Sequence, residues 1–401
     1  MYYSSQREYC LYNFSHEGEM RVQPFQINIP QPILDDLQER LANTRWTDDV
    51  EGAGWDYGTN LGYMKELVEY WQHKYDWRKQ EAELNKFAQF RAEIGGLNIH
   101  FIHSRGKGPN SMPIIITHGW PGSFFEICKL ISLLTDPARY GGDLDDSFDV
   151  IVPSLPGYGF SDRPRERGMM SSRRAAELWV KLMTDVLGYK SFAAAGGDFG
   201  AIVTQYLAAD HPELLIGIHL TYIGHYASIP DPSELSEAEK RYLGALQQWS
   251  MREGGYYMIQ GTKPQTLSYG LNDSPAGLAA WIAEKFHSWT DPSVPAERRI
   301  TKDELLTNIM IYWVTGTIGS SIRSYFDNPP QKLEPLPAVP AAFAAFPKDI
   351  NPPPREWVER RLNLKQWTEM PRGGHFAAME EPELLAEDMR KFFHAYRQPS
   401  K

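Results

Sequence analysis

From Leu97 to Leu220 short apolar runs alternate with helical stretches, and this rhythm narrows the fold class more than any other feature of the chain. LNIHFIH (97–103) alternates at period two and reads as a strand. PIIIT (113–117) is an apolar run closing on His118-Gly119, and FDVIVP (148–153) is another. Helical spacing fills 124–134 and 172–187. SFAAAGGDFG (191–200) leads from an apolar run into a helix, and LIGIHL (215–220) is a further strand. This order predicts an α/β fold, a mostly parallel sheet with helices on both faces. Between 222 and 325 the rhythm stops, and the sequence is helical and rich in Trp, Tyr and Met. After Asn328-Pro329-Pro330 it resumes, with strands over 338–346 and 363–369 and a final amphipathic helix, EEPELLAEDMRKFFHAY (380–396). A helical insertion ahead of the last two strands reads as a lid.

Ahead of the sheet, PILDDLQERLANT (32–44) and 61–76 show helical spacing, followed by an Ala/Glu/Lys-rich piece to about 88. The expected division is therefore an N-terminal helical segment (1–92) packing on core and lid, a first core part (93–221), the lid (222–327) and a second core part (328–401). At 401 residues the chain is long enough for a large α/β domain with such additions. Its net charge of -10 repels phosphates and anionic lipid, so no nucleic-acid partner is expected. Cys10 and Cys128 alone cannot build a disulfide framework or a metal cluster. MYYSSQREYC lacks the apolar region of a secretory signal, and no run of about 18 apolar residues exists to span a membrane. The expectation is a cytoplasmic protein, monomer or homodimer. Asn13-Phe-Ser15 and Asn272-Asp-Ser274 match the glycosylation pattern by chance on this reading.

Gly196-Gly197-Asp198-Phe199-Gly200 has the spacing of a nucleophile elbow with Asp where an esterase carries Ser. Flanking glycines permit a sharp strand-to-helix turn that projects residue 198 above the sheet edge, and the helix N-terminus favours an anion there. An ordinary βα turn with Asp as N-cap fits the same five residues. His118-Gly119-Trp120-Pro121 ends the 113–117 run, where hydrolases of this kind place oxyanion donors; the backbone N–H groups of Trp120 and Phe199 are the candidates, with His118, Gly119 and Pro121 in support. A Gly-Pro turn at a strand end is the plain alternative. Arg372-Gly373-Gly374-His375-Phe376 sits between the last strand and the last helix, and its histidine comes last in chain order, as the base should. A carboxylate ending a late strand should orient that ring; Asp349 fits, and Glu356 fits less well because it begins a helix.

Together these pieces resemble the microsomal-type epoxide hydrolases and their soluble fungal and bacterial relatives. The likeness is carried by HGWPGSF, PGYGFSD, GGDFG, TKPQT, LNDSP, IYWVTGTI, FPKD and RGGHFAAMEEPELLAEDMRKF, and runs from about residue 22 to 397. It implies an α/β-hydrolase fold and an N-terminal domain that embraces core and lid. It implies Asp198 as nucleophile, His375 as base and Asp349 as its acidic partner. Two lid tyrosines that grip the epoxide oxygen match Tyr256, beside Tyr257, and Tyr325. The resemblance also implies a small apolar or aromatic epoxide as substrate, water as co-substrate and no metal or organic cofactor. Membrane-bound members begin with an apolar anchor that this chain lacks, which points to a soluble enzyme.

A carboxylate opens a strained ring by attack at carbon, giving a hydroxyalkyl ester that water then cleaves to a vicinal diol. A dehalogenase on the same fold also uses an Asp nucleophile, but halide needs N–H donors, and the residue after the nucleophile here is Phe199 rather than Trp. A non-catalytic binding protein of this fold would have lost a triad member, whereas three candidates stand in order here.

Overall fold

The computed structural model describes residues 22–224, 231–295, 300–329 and 334–397; Cys10 and Asn13 lie outside them. Nine strands form one sheet: β1 (Val22–Phe25), β2 (Gln89–Ile94), β3 (Leu97–Ser104), β4 (Met112–Thr117), β5 (Phe148–Pro153), β6 (Phe192–Gly196), β7 (Leu215–Leu220), β8 (Leu336–Ala345) and β9 (Leu362–Glu369). Their order is β1-β2-β3-β5-β4-β6-β7-β8-β9. Every pair from β5 to β9 is parallel, and the β1-β2-β3-β5 edge is antiparallel. All residues of β5 and β6 are buried, as strands covered on both faces require. β6 is Phe-Ala-Ala-Ala-Gly, and its small side chains let the helix Asp198–Asp210 pack closely above it.

The N-terminal segment departs from the all-helical expectation. Among its described residues it holds the helices Gln31–Ala42, Leu61–His73 and Trp77–Leu84, but also β1 ahead of them and β2 after them. QFRAEI alternates polar and apolar residues at period two, a strand pattern that the helical reading of this segment passed over, and it pairs with β3 in register from Gln89–Ile102 to Ile94–Leu97. Buried Leu34, Leu37 and Leu41 recur at helical spacing on the first helix, and Asn60 and Asp76 cap the next two.

Hydrogen bonds tie this segment to the lid. Thr59 Oγ1 donates to Ala280 O (2.7 Å), Tyr70 OH to Asp303 Oδ1 (2.8 Å) and Arg40 Nη1 to Asp273 O (2.7 Å). The lid contains the helices Glu237–Glu253, Gly255–Thr262, Pro264–Asp273, Pro275–Trp289, Lys302–Thr315, Ile318–Ser321 and Arg323–Asp327. Capping boxes at Ser236/Glu239 and Thr301/Glu304 start two of them. Among the described residues no helix is long and apolar enough to cross a membrane.

Candidate active site

All the candidate groups gather at the C-terminal edge of the parallel strands. Asp198 follows β6, His118 to Pro121 follow β4, Asp349 follows β8 and His375 follows β9. In an open α/β sheet this edge is where ligands bind.

The turn after β6 is as sharp as the glycine pattern predicts. Asp198 has a φ of 46°, in the left-handed region that costs an L-residue energy. Its neighbours leave no space for side chains. A methyl group on Gly200 would stand 1.9 Å from Thr117 O, and one on Gly119 would stand 2.3 Å from Asp198 Cβ. These close approaches set the Asp198 carboxylate directly against the turn after β4. There the Trp120 N–H donates to Asp198 Oδ1 at 2.9 Å. Phe199 lies in the first turn of the helix Asp198–Asp210, where N–H groups have no intrahelical acceptor.

His118 stiffens that turn rather than acting on a substrate. Leu155 N–H donates to its Nε2 (3.2 Å), so Nδ1 carries the proton and donates to Gly119 O (3.1 Å). Burial pushes the ring down to about 4, which keeps it neutral. From the lid, Asn308 Nδ2 donates to Pro121 O (2.7 Å) and Tyr312 OH to Gly122 O (2.5 Å), which holds the same turn from above.

His375 is buried, with Nδ1 bonded to Asp349 Oδ1 at 2.6 Å and Nε2 at 3.5 Å from Asp198 Oδ2. Burial works against the charged ring, but Asp349 and Asp198 outweigh it and hold the imidazolium well above the ordinary histidine value. Asp349 also accepts from Ile350 N–H (2.6 Å). Glu356 instead accepts from Ser236 Oγ (2.9 Å) and belongs to another contact.

Both lid tyrosines face this centre. Tyr325 stands edge-on to Phe199 (5.0 Å between centroids) and to Trp120 (5.5 Å). Burial, with Tyr256 and Asp198 nearby, raises its phenol well above the ordinary tyrosine value, so it stays protonated as a donor. Its short helix is braced by Tyr158, whose OH donates to Ser324 Oγ (3.2 Å). Tyr256 is buried and stacks on Trp120 at 5.6 Å, whereas adjacent Tyr257 is half-buried and meets Tyr325 edge-on.

Several functional neighbours escaped the sequence reading. Tyr222 stands edge-on to His375 (6.0 Å), and its place just past β7, on the shared strand edge, was the available signal. Lys285 is buried with its ammonium 4.4 Å from the Tyr256 ring centroid, a cation–π arrangement no motif announces. Trp289 meets His375 edge-on (5.2 Å) and Tyr256 at 5.3 Å.

A clasp joins the lid to the His375 loop. His375 N–H donates to Trp289 O (2.8 Å) and Gly373 N–H to Asp291 Oδ2 (2.8 Å). The Glu380 carboxyl accepts from the N–H groups of Asp291 (2.8 Å), Gly374 (3.2 Å) and Phe376 (3.1 Å). Among the described residues no cluster of His, Cys, Asp and Glu has the makings of a metal site.

Comparison with known proteins agrees with this layout. Residues 22–127 match the family described as epoxide hydrolase N terminus, and residues 112–253 match the α/β hydrolase fold. Epoxide hydrolase 1 of Sus scrofa is 40% identical over 406 residues, spanning 92% of this chain and 88% of that protein. The crystal structure of juvenile hormone epoxide hydrolase from the silkworm Bombyx mori superposes with a TM-score of 0.82 at 32% identity, covering 96% of each chain. Aspergillus niger epoxide hydrolase gives a TM-score of 0.80 at 30% identity over 94% of this chain and 97% of its own. The alignment takes in the N-terminal segment, sheet and lid together, and the chain belongs to the epoxide hydrolase family of the α/β-hydrolase fold.

Proposed function

We propose that this protein converts epoxides to vicinal diols through a covalent ester on Asp198. One arrangement carries the reading: a carboxylate with one oxygen held by the Trp120 amide and the other 3.5 Å from a histidine that Asp349 orients. Asp198 Oδ2 attacks a ring carbon, the C–O bond breaks, and the alkoxide oxygen takes a proton from Tyr256 or Tyr325. Oδ1 becomes the ester carbonyl oxygen and keeps its Trp120 donor, with Phe199 N–H as the second.

Esterification removes one of the two negative neighbours of His375. Its affinity for a proton falls, and it passes its proton to the tyrosinate, which leaves a neutral ring to deprotonate water. His375 Nε2 then takes a proton from water as the oxygen bonds to Asp198 Cγ. The tetrahedral intermediate collapses, the diol oxygen leaves with that proton, and the proton of the regenerated acid returns to His375.

Aromatic rings of Trp120, Phe199, Tyr222 and Trp289 around the centre suit a bulky aryl or alkyl epoxide. We place the reaction in the cytoplasm. A single turnover in heavy-oxygen water tests the route: the label should enter Asp198 and be absent from the first diol. Label in that first diol means direct attack by water and overturns the ester.

A further inference from the structure

Ester hydrolysis needs water at Asp198 Cγ while the alkyl group occupies the side of the carboxylate that faces the tyrosines. A cavity lies beside His375 and Gly197, against the sheet. It has about 30 Å³ of room for water-sized spheres; by that measure one water needs roughly 10–15 Å³. Its walls include apolar Leu130 and Ala378 and the polar side chains of Glu126, His219, Thr221 and His375, and it reaches Gly197 beside the nucleophile. Such a space, roomy for two waters and offering several polar partners, meets both conditions for an ordered water.

Glu126 is the group whose place has no explanation in the mechanism so far. It sits in the 3-10 turn Phe124–Ile127. Its carboxyl packs so tightly on Gly122 that a methyl there would stand 2.3 Å from Oε2. Gly119, in the same turn, touches Asp198. Glu126 is half-buried and borders this cavity. His219 forms another part of the wall and is fixed by Asp388 (2.8 Å).

We infer that this cavity holds the hydrolytic water and that Glu126 positions it between Asp198 and His375, an assignment that rests on the ester route proposed above. One O–H of the water bonds to Glu126 while the other gives its proton to His375 Nε2, and Glu126 finishes the step as it began. Burial pushes this carboxyl up to about 8; Asp198 and Glu380 add to the rise, and His375 and the Gly119 amide offset part of it. Near neutral pH it therefore serves as donor or acceptor to water without placing a full charge beside Asp198.

The test is rapid-quench intact mass on the full chain with styrene oxide, which separates adduct formation from adduct decay. In Glu126→Gln, formation should stay within about twofold of the parent while decay slows roughly 3- to 10-fold, the size of one lost hydrogen bond between neutral groups. Adduct should then build up in the steady state, with KM and kcat falling together. Ala378→Leu fills the cavity while leaving the Glu126 side chain unaltered and should slow decay in the same direction. Unchanged decay in both variants, or formation and decay falling equally, overturns the assignment. Absence of adduct even in His375→Gln overturns the ester route itself, and this inference with it.

Discussion

The two halves of the site are held by different physics. On the sheet side, backbone meets backbone: β6, the turn after β4 and the start of the helix Asp198–Asp210 approach so closely that a single methyl on Gly196 or Gly200 finds no room. On the lid side, rings meet rings: Tyr256, Tyr325, Trp120 and Trp289 contact one another at 5.3–6.4 Å between centroids. The sheet half buries every residue of β5 and β6, while the lid leaves Met251 73% and Met258 60% exposed. Backbone sterics fix the nucleophile with no tolerance, whereas packed side chains can adjust. Substitutions in the first half should abolish activity, and those in the second should tune it.

The largest effect should come from the nucleophile. Asp198→Asn should lower kcat by at least about 10⁴-fold, the scale of removing one member of a catalytic triad, while the melting temperature holds within a few degrees. Activity within tenfold of the parent would remove Asp198 from its role. Gly200→Ala should cost about 1–3 kcal/mol of stability by overpacking and at least ~100-fold in rate by shifting the carboxylate. A normal denaturation curve with normal kcat would break the contrast between the halves.

Tyr325→Phe and Tyr256→Phe should each slow adduct formation roughly 10- to 100-fold, with adduct decay nearly unchanged. If both retain full activity, the lid does not supply the acid. Asp291→Asn weakens the clasp and should destabilise by about 1 kcal/mol, read from the urea midpoint. It should also slow adduct decay more than formation, because the base moves and the nucleophile does not.

The smallest effect concerns pH. Glu380 and Glu126 have folded values raised to about 7 and about 8, chiefly by burial, so the native state holds protons the unfolded chain has released. Their contribution is fully present below the ordinary glutamate range and is lost as pH rises through 7 to 8. Stability should thus decline from about pH 5 to 8, and Glu126→Gln should flatten that slope by on the order of 1 kcal/mol. Asp388 and Asp291 run oppositely: burial opposes ionisation, yet their hydrogen bonds hold both below the ordinary value, so their support is lost only as pH falls below that range. A thermal-melt series in matched buffers reads both trends.

Legibility followed the same divide. The elbow was visible because close approach demands glycine, and glycine leaves a local mark around Asp198. Strands β4 to β8 were visible because buried parallel strands are largely apolar runs. β1 was not, being only four residues long, and the period-two alternation of QFRAEI in β2 was masked by the Ala/Glu/Lys-rich helical stretch directly before it. Tyr222, Lys285, Trp289 and Glu126 join the site across long stretches of chain, and each alone looks like ordinary packing. Tyr256 and Tyr257 are neighbours on one helix and differ in which way they face, which spacing alone does not decide.

The clasp between Asp291, Glu380, Trp289 and the His375 loop has a consequence for substrate range. A guest that levers up the C-terminal end of the helix Pro275–Trp289 must drag the imidazole with it or tear those hydrogen bonds. Oversized guests are thus penalised twice, first by crowding and then by a mistimed second half of the cycle. Enlarging the roof alone would widen admission and leave slow, esterified enzyme behind.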